Sequence, residues 1–311
     1  MSFRWNSINR GLLENMLFAK MRAEKARKAF IRGASGNDRV RLATEVLPSN
    51  CDAECDIVYE TPDIPEHRLD IYKLKGTEVA DEIFFLVHGG AFVYGSKEID
   101  KNFGMNLAVF SQIPVANVNY HLLPEKSLQG ILADLCSAMD YLTKQRGIRK
   151  VHLIGDSAGA YLALMLACAL LDKDVRHDMG IFIKSDVEVL SVASICGVYT
   201  GSRDRFPGYF FTKPTGARDG DNVLPEYVFD LKNIISRTGL PKTCLITGDK
   251  DFLHDMNVDM RDFLAGQGIP VKFYDAISTE GEDARHVFAI SHPSWQESHA
   301  ALKLIIENVV S

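Results

Sequence analysis

The chain has 311 residues, 46% of them hydrophobic and 24% charged, with a formal net charge of −6. That length fits one α/β domain with an insertion as well as two small domains, and the apolar content is enough for a large core. The acidic balance excludes nucleic-acid binding as the main role, because grip on a phosphate backbone needs a basic surface.

Met1 to Gly11 is polar and charged, with no apolar stretch behind it, so no secretory signal is read there. Residues 1 to about 42 place Leu12, Leu13, Met16, Leu17 and Met21 at helical spacing. A basic run of Lys20, Arg22, Lys25, Arg27, Lys28 and Arg32 follows. A cap helix whose solvated face carries these charges explains this better than an anchor to an anionic surface. Glu14, Glu24 and the lack of a Ser-rich character weigh against a transit peptide.

The longest apolar run, Ala158 to Leu171, falls short of the ~20 residues that span a bilayer. No stable membrane insertion is expected, and the expected location is cytoplasmic. The six cysteines (Cys51, Cys55, Cys136, Cys168, Cys196 and Cys244) read as buried free thiols of a reducing compartment. Cys51 and Cys55 are the only close pair, and no second Cys or His pair has zinc-site spacing, so no metal is expected.

From Asp56 the texture changes to short strands. Ile57 to Tyr59 and Arg68 to Tyr72 flank a turn with Pro62, Asp63 and Pro65, which predicts an antiparallel pair. Glu82 to Val87 is a continuous apolar strand of the kind buried on both faces of a parallel sheet. Val115 to Tyr120 predicts a strand, Leu128 to Lys144 a helix, Val151 to Ile154 a strand with a turn and helix behind it, and Val189 to Ile195 another strand. Residues 199–237 break this alternation with turn formers and aromatics. Strand, helix, strand and helix resume over Thr243–Thr247, Asp255–Ala265, Val271–Tyr274 and Ser294–Val309. The reading is an α/β class: a mostly parallel sheet flanked by helices. Cap helices are expected over 1–45, the catalytic domain over 46–198 and 238–311, and a cap insertion over 199–237.

Val151-His152-Leu153-Ile154 runs into Gly155-Asp156-Ser157-Ala158-Gly159, and an Ala/Leu/Met-rich run follows. This is strand, sharp turn and helix with Ser157 at the apex, the nucleophile elbow of α/β-hydrolases. A Cβ at Gly155 or Gly159 would crowd the neighbouring strand or helix. Such a serine needs a base, and the base an orienting carboxylate, each at the carboxyl end of a strand in the order Ser, acid, His.

After Thr243–Thr247 come Asp249, Asp251 and Asp255, and after Val271–Tyr274 comes His286. Asp251 is the preferred acid and Asp255, a helix-start residue, its main rival; Asp249 lies close to the strand end. His286 is the preferred base. His254 reads as a surface histidine starting a helix, His152 as packed within a strand, and His292 and His299 lie beyond, by the C-terminal helix. The amide of Ala158, with those of Gly90, Ala91 and Gly89 in His88-Gly89-Gly90-Ala91, is expected to face the oxyanion of a tetrahedral intermediate. Phe92, Asp156 and the insertion aromatics Phe206, Tyr209 and Phe210 are the expected substrate contacts.

His88 to Phe92, Tyr120-His121-Leu122-Leu123-Pro124-Glu125, Gly155 to Gly159, Asp251 to Asp255 and His286-Val287-Phe288 stand in the order of the hormone-sensitive-lipase-like carboxylesterases, which residues 68–300 resemble. The resemblance implies an α/β-hydrolase fold, a cap from the N-terminus plus an insertion, ester hydrolysis without a cofactor, and frequent dimerisation, hence a homodimer as an expected assembly. Five residues depart from the family pattern. Ala91 replaces a third glycine, His121 and Leu123 replace Arg and Ala, Phe252 replaces Pro, and Val287 replaces Gly. Residues 197–223 match poorly.

The expected chemistry is acyl transfer. His286 takes the Ser157 proton as Oγ attacks a carbonyl, and Asp251 holds the imidazole. Activity should rise as His286 loses its proton, giving a neutral to mildly alkaline optimum. The expected substrate is a short- to medium-chain acyl ester, aryl and acetyl esters included. An amidase or formamidase on the same residues is the alternative. A non-catalytic ligand-binding relative is disfavoured by His286.

Overall fold

The apolar run Glu82–Val87 forms β3, with Ile83 to Val87 all buried. In the computed structural model, which describes residues 3–201 and 229–310, with side chains from Phe18 to Gly201 and from Phe229 to Val309, this strand lies in an eight-stranded sheet. The strands are β1 (Cys51–Val58), β2 (Arg68–Leu74), β3, β4 (Val115–Val118), β5 (Lys150–Asp156), β6 (Glu188–Ile195), β7 (Lys242–Gly248) and β8 (Val271–Ala276), in spatial order β1-β2-β4-β3-β5-β6-β7-β8. β1 pairs with β2, and β2 with β4, antiparallel. Every later pairing is parallel.

Because successive side chains alternate across a strand, β3 divides between two cores. Ile83, Phe85 and Val87 face one, with Ile131, Leu135 and Met139 of α3 (Leu128–Arg146) and the apolar helix α4 (Ala158–Leu171). Phe84 and Leu86 face the other, with Phe103 and Leu107 of α2 (Lys101–Ser111) and Ala301 and Ile305 at the C-terminus. Ser127 caps α3 by accepting from the Gly130 amide, and Gly147 ends it in the left-handed conformation. Buried on nearly all sides, α4 has no polar face.

The short α5 (Lys173–Asp178) precedes β6, and α6 (Leu231–Thr238) precedes β7. Then α7 (His254–Gly266), the single turn α8 (Phe288–Ser291) and α9 (Gln296–Val310) complete the described helices. No described helix is long and apolar enough to cross a membrane.

The structure bears on several of these expectations. The expected insertion, 199–237, has both ends in the core: Tyr199, Leu231, Ile234 and Ile235 are buried, and Leu231 donates its amide to the Tyr199 carbonyl. Phe206, Tyr209 and Phe210 lie outside the described residues. Cys55 is exposed, unlike the other five free cysteines, because it lies in the irregularity between Glu54 and Ile57 of the edge strand β1.

The N-terminal helix α1 (Phe3–Thr44) is 42 residues long. Of its expected apolar stripe, only Met21 has a described side chain. That residue is 60% exposed, so it lies off the contact face that Ala23 marks. Of the basic run, all but the partly buried Arg27 are exposed.

Candidate active site

Ser157 sits between β5 and α4 with φ 50° and ψ −116°, a strained conformation that turns the side chain out of the strand direction. Its amide donates to the Ile195 carbonyl and its own carbonyl accepts from Val198, so the end of β6 clamps both sides of the turn. The flanking glycines are required sterically. A Cβ on Gly155 would lie 2.4 Å from the Gly159 carbonyl carbon, and one on Gly159 would lie 2.1 Å from the Val87 oxygen.

The loops after β7 and β8 bring the other two groups to this serine. His286 Nε2 is 2.9 Å from Ser157 Oγ, and His286 Nδ1 is 2.8 Å from Asp251 Oδ1. Asp251 also accepts from the Leu253 amide and the Thr247 hydroxyl, each at 3.0 Å. Burial works to raise its carboxyl. The hydrogen bond and charge of His286, the Leu253 amide and the Cys196 thiol outweigh that and hold it below the usual carboxylate value.

The two loops meet at close quarters. Lys250 donates its amide to the Ala284 carbonyl, and a Cβ on Gly248 would stand 2.2 Å from that oxygen. The exposed Phe252 ring lies 4.4 Å from the His286 ring, centroid to centroid. The rival groups are elsewhere engaged. Asp255 is exposed beside His254, His254 pairs with Asp275, Asp249 accepts from Ser278, and His152 is buried against Ser191 and Glu82.

The His88–Ala91 segment turns tightly over the elbow. Gly90 (φ 113°) accepts from the Val93 and Tyr94 amides, and a Cβ there would meet the Tyr94 oxygen at 1.9 Å. Ala91 and Phe92 both have positive φ. Burial drives His88 down to about 4, so it is neutral. It stacks on Tyr120 at 4.3 Å, and the Tyr120 hydroxyl donates to the His88 carbonyl.

Gly90 and Ala91 line the cavity, and their amides make no backbone hydrogen bond among the described residues. Ala158 opens α4, where first-turn amides have no intrahelical acceptor. Gly89 packs closely on Asp156, whose carboxylate oxygen a Cβ at Gly89 would meet at 2.3 Å. Asp156 in turn braces this loop. It lines the cavity, with its carboxyl packed against Gly89 and Asp100.

Asp100 and Asp156 are both buried beside Ser157 and within hydrogen-bonding reach of each other. Both oxygens of Asp100 and Oδ1 of Asp156 lack a donor. Two carboxylates so placed cannot both ionise, and one proton between them supplies the missing donor. Burial, then the Asp156 charge, raises Asp100 far above the usual carboxyl value; burial raises Asp156 to about 6.

The cavity measures about 970 Å³. α1 supplies one wall through Phe30, Ala34, Asp38 and Arg41, and Val198, Met256 and Ile290 lie on other walls. Phe92 borders the cavity, but its ring is 1% exposed and packs edge-on against Tyr161 rather than presenting a face to a ligand.

Two sets of residues escaped the sequence reading. Arg41 ties α1 to both sides of the site, donating to the Ile99 and Ile290 carbonyls while pairing with Asp38 and Glu45. Tyr94 donates to Asp38. Asn257, fully buried, accepts from the Gly197 amide and the Tyr199 hydroxyl and donates to the Leu253 and Gly197 carbonyls, fixing the start of α7 against the loop after β6. Neither residue belongs to a local motif; only the helical position of Arg41 near the expected cap hinted at a role.

A family model described as the α/β hydrolase fold matches residues 84–289. Carboxylesterase/phospholipase LipF of Mycobacterium tuberculosis is 27% identical over 209 residues, covering 64% of this chain and 56% of that protein. The match therefore spans little more than half of the relative's length. An esterase of Acinetobacter venetianus is 26% identical over 264 residues, covering 80% of this chain and 84% of that one. An inhibited esterase B of Lactobacillus rhamnosis superposes with a TM-score of 0.82 over 93% of this chain and 96% of that chain, at 22% identity, a likeness of fold. With this sheet order, this elbow and a family match over most of its length, the chain belongs to the α/β-hydrolase family.

Proposed function

We propose that the protein is a serine carboxylesterase acting on short- to medium-chain acyl esters. The observation that carries this reading is the unbroken relay Ser157 Oγ–His286 Nε2, His286 Nδ1–Asp251 Oδ1 at the wall of the cavity. His286 accepts the Ser157 proton as Oγ adds to the ester carbonyl, and Asp251 stabilises the resulting imidazolium. The Gly90, Ala91 and Ala158 amides receive the oxyanion. His286 then protonates the leaving alcohol, and water repeats the steps on the acyl-enzyme.

Support for ester substrates comes from the names of the two relatives. The apolar wall of Phe30, Val198, Met256 and Ile290 suits a modest acyl chain. The test is turnover of p-nitrophenyl esters of increasing acyl length by wild type and by Ser157→Ala. Hydrolysis of short and medium esters that disappears in the variant supports the reading. Cleavage of aryl amides alone would replace it with the amidase alternative.

A further inference from the structure

The chemistry above makes no use of His121, yet the fold brings it to His67 and Asp134 from three separate elements. His67 ends the 3-10 turn Pro65–His67, His121 follows β4, and Asp134 lies in α3. One ligand-type atom from each lies within 4.8 Å of the others. His121 Nδ1 is 2.7 Å from Asp134 Oδ2, and His67 Nε2 is 3.9 Å from Asp134 Oδ1. The two imidazoles meet edge to face at 5.2 Å.

His67 carries the argument. Its Nδ1 is 2.9 Å from the Pro62 carbonyl oxygen, which can only accept, so Nδ1 holds the hydrogen. The residue is 5% exposed, and its Nε2 has no hydrogen-bond partner. That nitrogen points, without a partner, at a buried carboxylate oxygen 3.9 Å away. A buried polar atom without a partner is unfavourable, and a cation held between Nε2 and the carboxylate would give it one. A second ring nitrogen fixed to a backbone carbonyl is also what orients metal-binding imidazoles.

We propose that His67, His121 and Asp134 form a binding site for a zinc-class divalent cation, with a fourth position open to water. Two imidazoles and a carboxylate suit such an ion. Lys126 Nζ lies 2.6 Å from Asp134 Oδ1, and its side chain is 36% exposed. The ammonium is the counter-ion of the metal-free site and swings to solvent when the cation arrives. Ligand atoms around a tetrahedral zinc are about 3.4 Å apart, a value between the 2.7 Å and 3.9 Å separations from Asp134 to His121 and His67. The bound ion would brace the exit of β4, where Tyr120 stacks on His88 of the loop beside Ser157. Its effect falls on stability rather than on the chemical step, and the site stands independently of the esterase reading.

The test uses the full chain, stripped with chelator and titrated with Zn²⁺ by calorimetry, with Co²⁺ as the spectroscopic probe. One equivalent should bind and raise the Tm, and Co²⁺ should show the visible bands of a low-coordinate site. His67→Gln and His121→Arg should each weaken binding by about 100-fold, with folding checked by circular dichroism. Lys126→Ala keeps all three ligands and should tighten binding, which a merely structural ion cluster would not do. Absence of saturable binding by wild type overturns the proposal, as does undiminished binding in both histidine variants. Loss of binding in His286→Ala, with the histidine variants unaffected, would move the ion to Cys196, Asp251 and His286, the other cluster of ligand-type atoms among the described residues.

Discussion

Asp100 and Asp156 meet carboxyl to carboxyl beside Ser157, and Gly89 packs against the Asp156 carboxylate. The pair links the loop after β3 to the elbow, and its proton is part of the link. A group whose folded value is raised stabilises the native state below its unfolded value, and that contribution is lost as pH rises through the folded value. Stability should therefore fall as pH climbs from about 4 through the Asp156 value of about 6 and onward toward that of Asp100. Asp100→Asn keeps a donor toward Asp156 and has no proton to lose. Thermal melts across this window should show a shallower decline in the variant than in wild type; parallel declines would contradict the shared proton.

The contact between the acid and base loops gives a second expectation. Gly248→Ala places a Cβ against the Ala284 carbonyl, which separates Asp251 from His286 without altering either. A displacement near 1 Å costs about 100-fold in rate, while overpacking of this size costs about 1–3 kcal/mol. Steady-state turnover should thus fall far more than denaturant stability does. Equal turnover to wild type would mean that the two loops tolerate displacement.

Asp251→Asn removes the negative charge beside His286, and an amide nitrogen turned toward His286 Nδ1 also faces the Leu253 amide, since both bond to Oδ1. By analogy with the serine protease triad, kcat should drop by about 10⁴-fold with little change in KM. Asp255→Asn, at an exposed position, should leave kcat within a small factor of wild type. The reverse pattern would transfer the acid role to Asp255.

Arg41→Met retains most of the side-chain stem and removes the bonds to Asp38, Glu45, Ile99 and Ile290. The Arg41 side chain is 13% exposed, so the loss should reach about 2–3 kcal/mol. KM for esters should rise, because α1 forms a wall of the cavity. Unchanged KM and stability would show that α1 docks without this clamp.

Much of the frame was legible because the sheet interior is written as short apolar runs between turn formers. Glu82–Val87 is a strand with those bounds, and the strands predicted at β5, β6, β7 and β8 start or end within about two residues of the observed ones. The helix α2 went unread. Asn102, Gly104 and Asn106 sit inside it, and their weak helix propensity masks a segment held by packing. The position of His286 opposite Ser157 follows from topology, since each lies just past the carboxyl end of a parallel strand. The packing of Gly89 on Asp156 and of the Phe92 ring on Tyr161 was not legible, because backbone direction and side-chain rotation in a loop of positive-φ residues leave no periodic trace. Arg41, Asn257 and the pairing of Asp100 with Asp156 depend on contacts between distant segments, which spacing along the chain does not encode.

The central claim, that Ser157 is the nucleophile activated by His286, is tested most directly by intact-protein mass spectrometry after exposure to a fluorophosphonate, followed by peptide mapping. The account predicts one adduct per chain, located on Ser157, absent from Ser157→Ala and formed far more slowly in His286→Ala. An adduct on another residue, or labelling of Ser157→Ala at the wild-type rate, would contradict it.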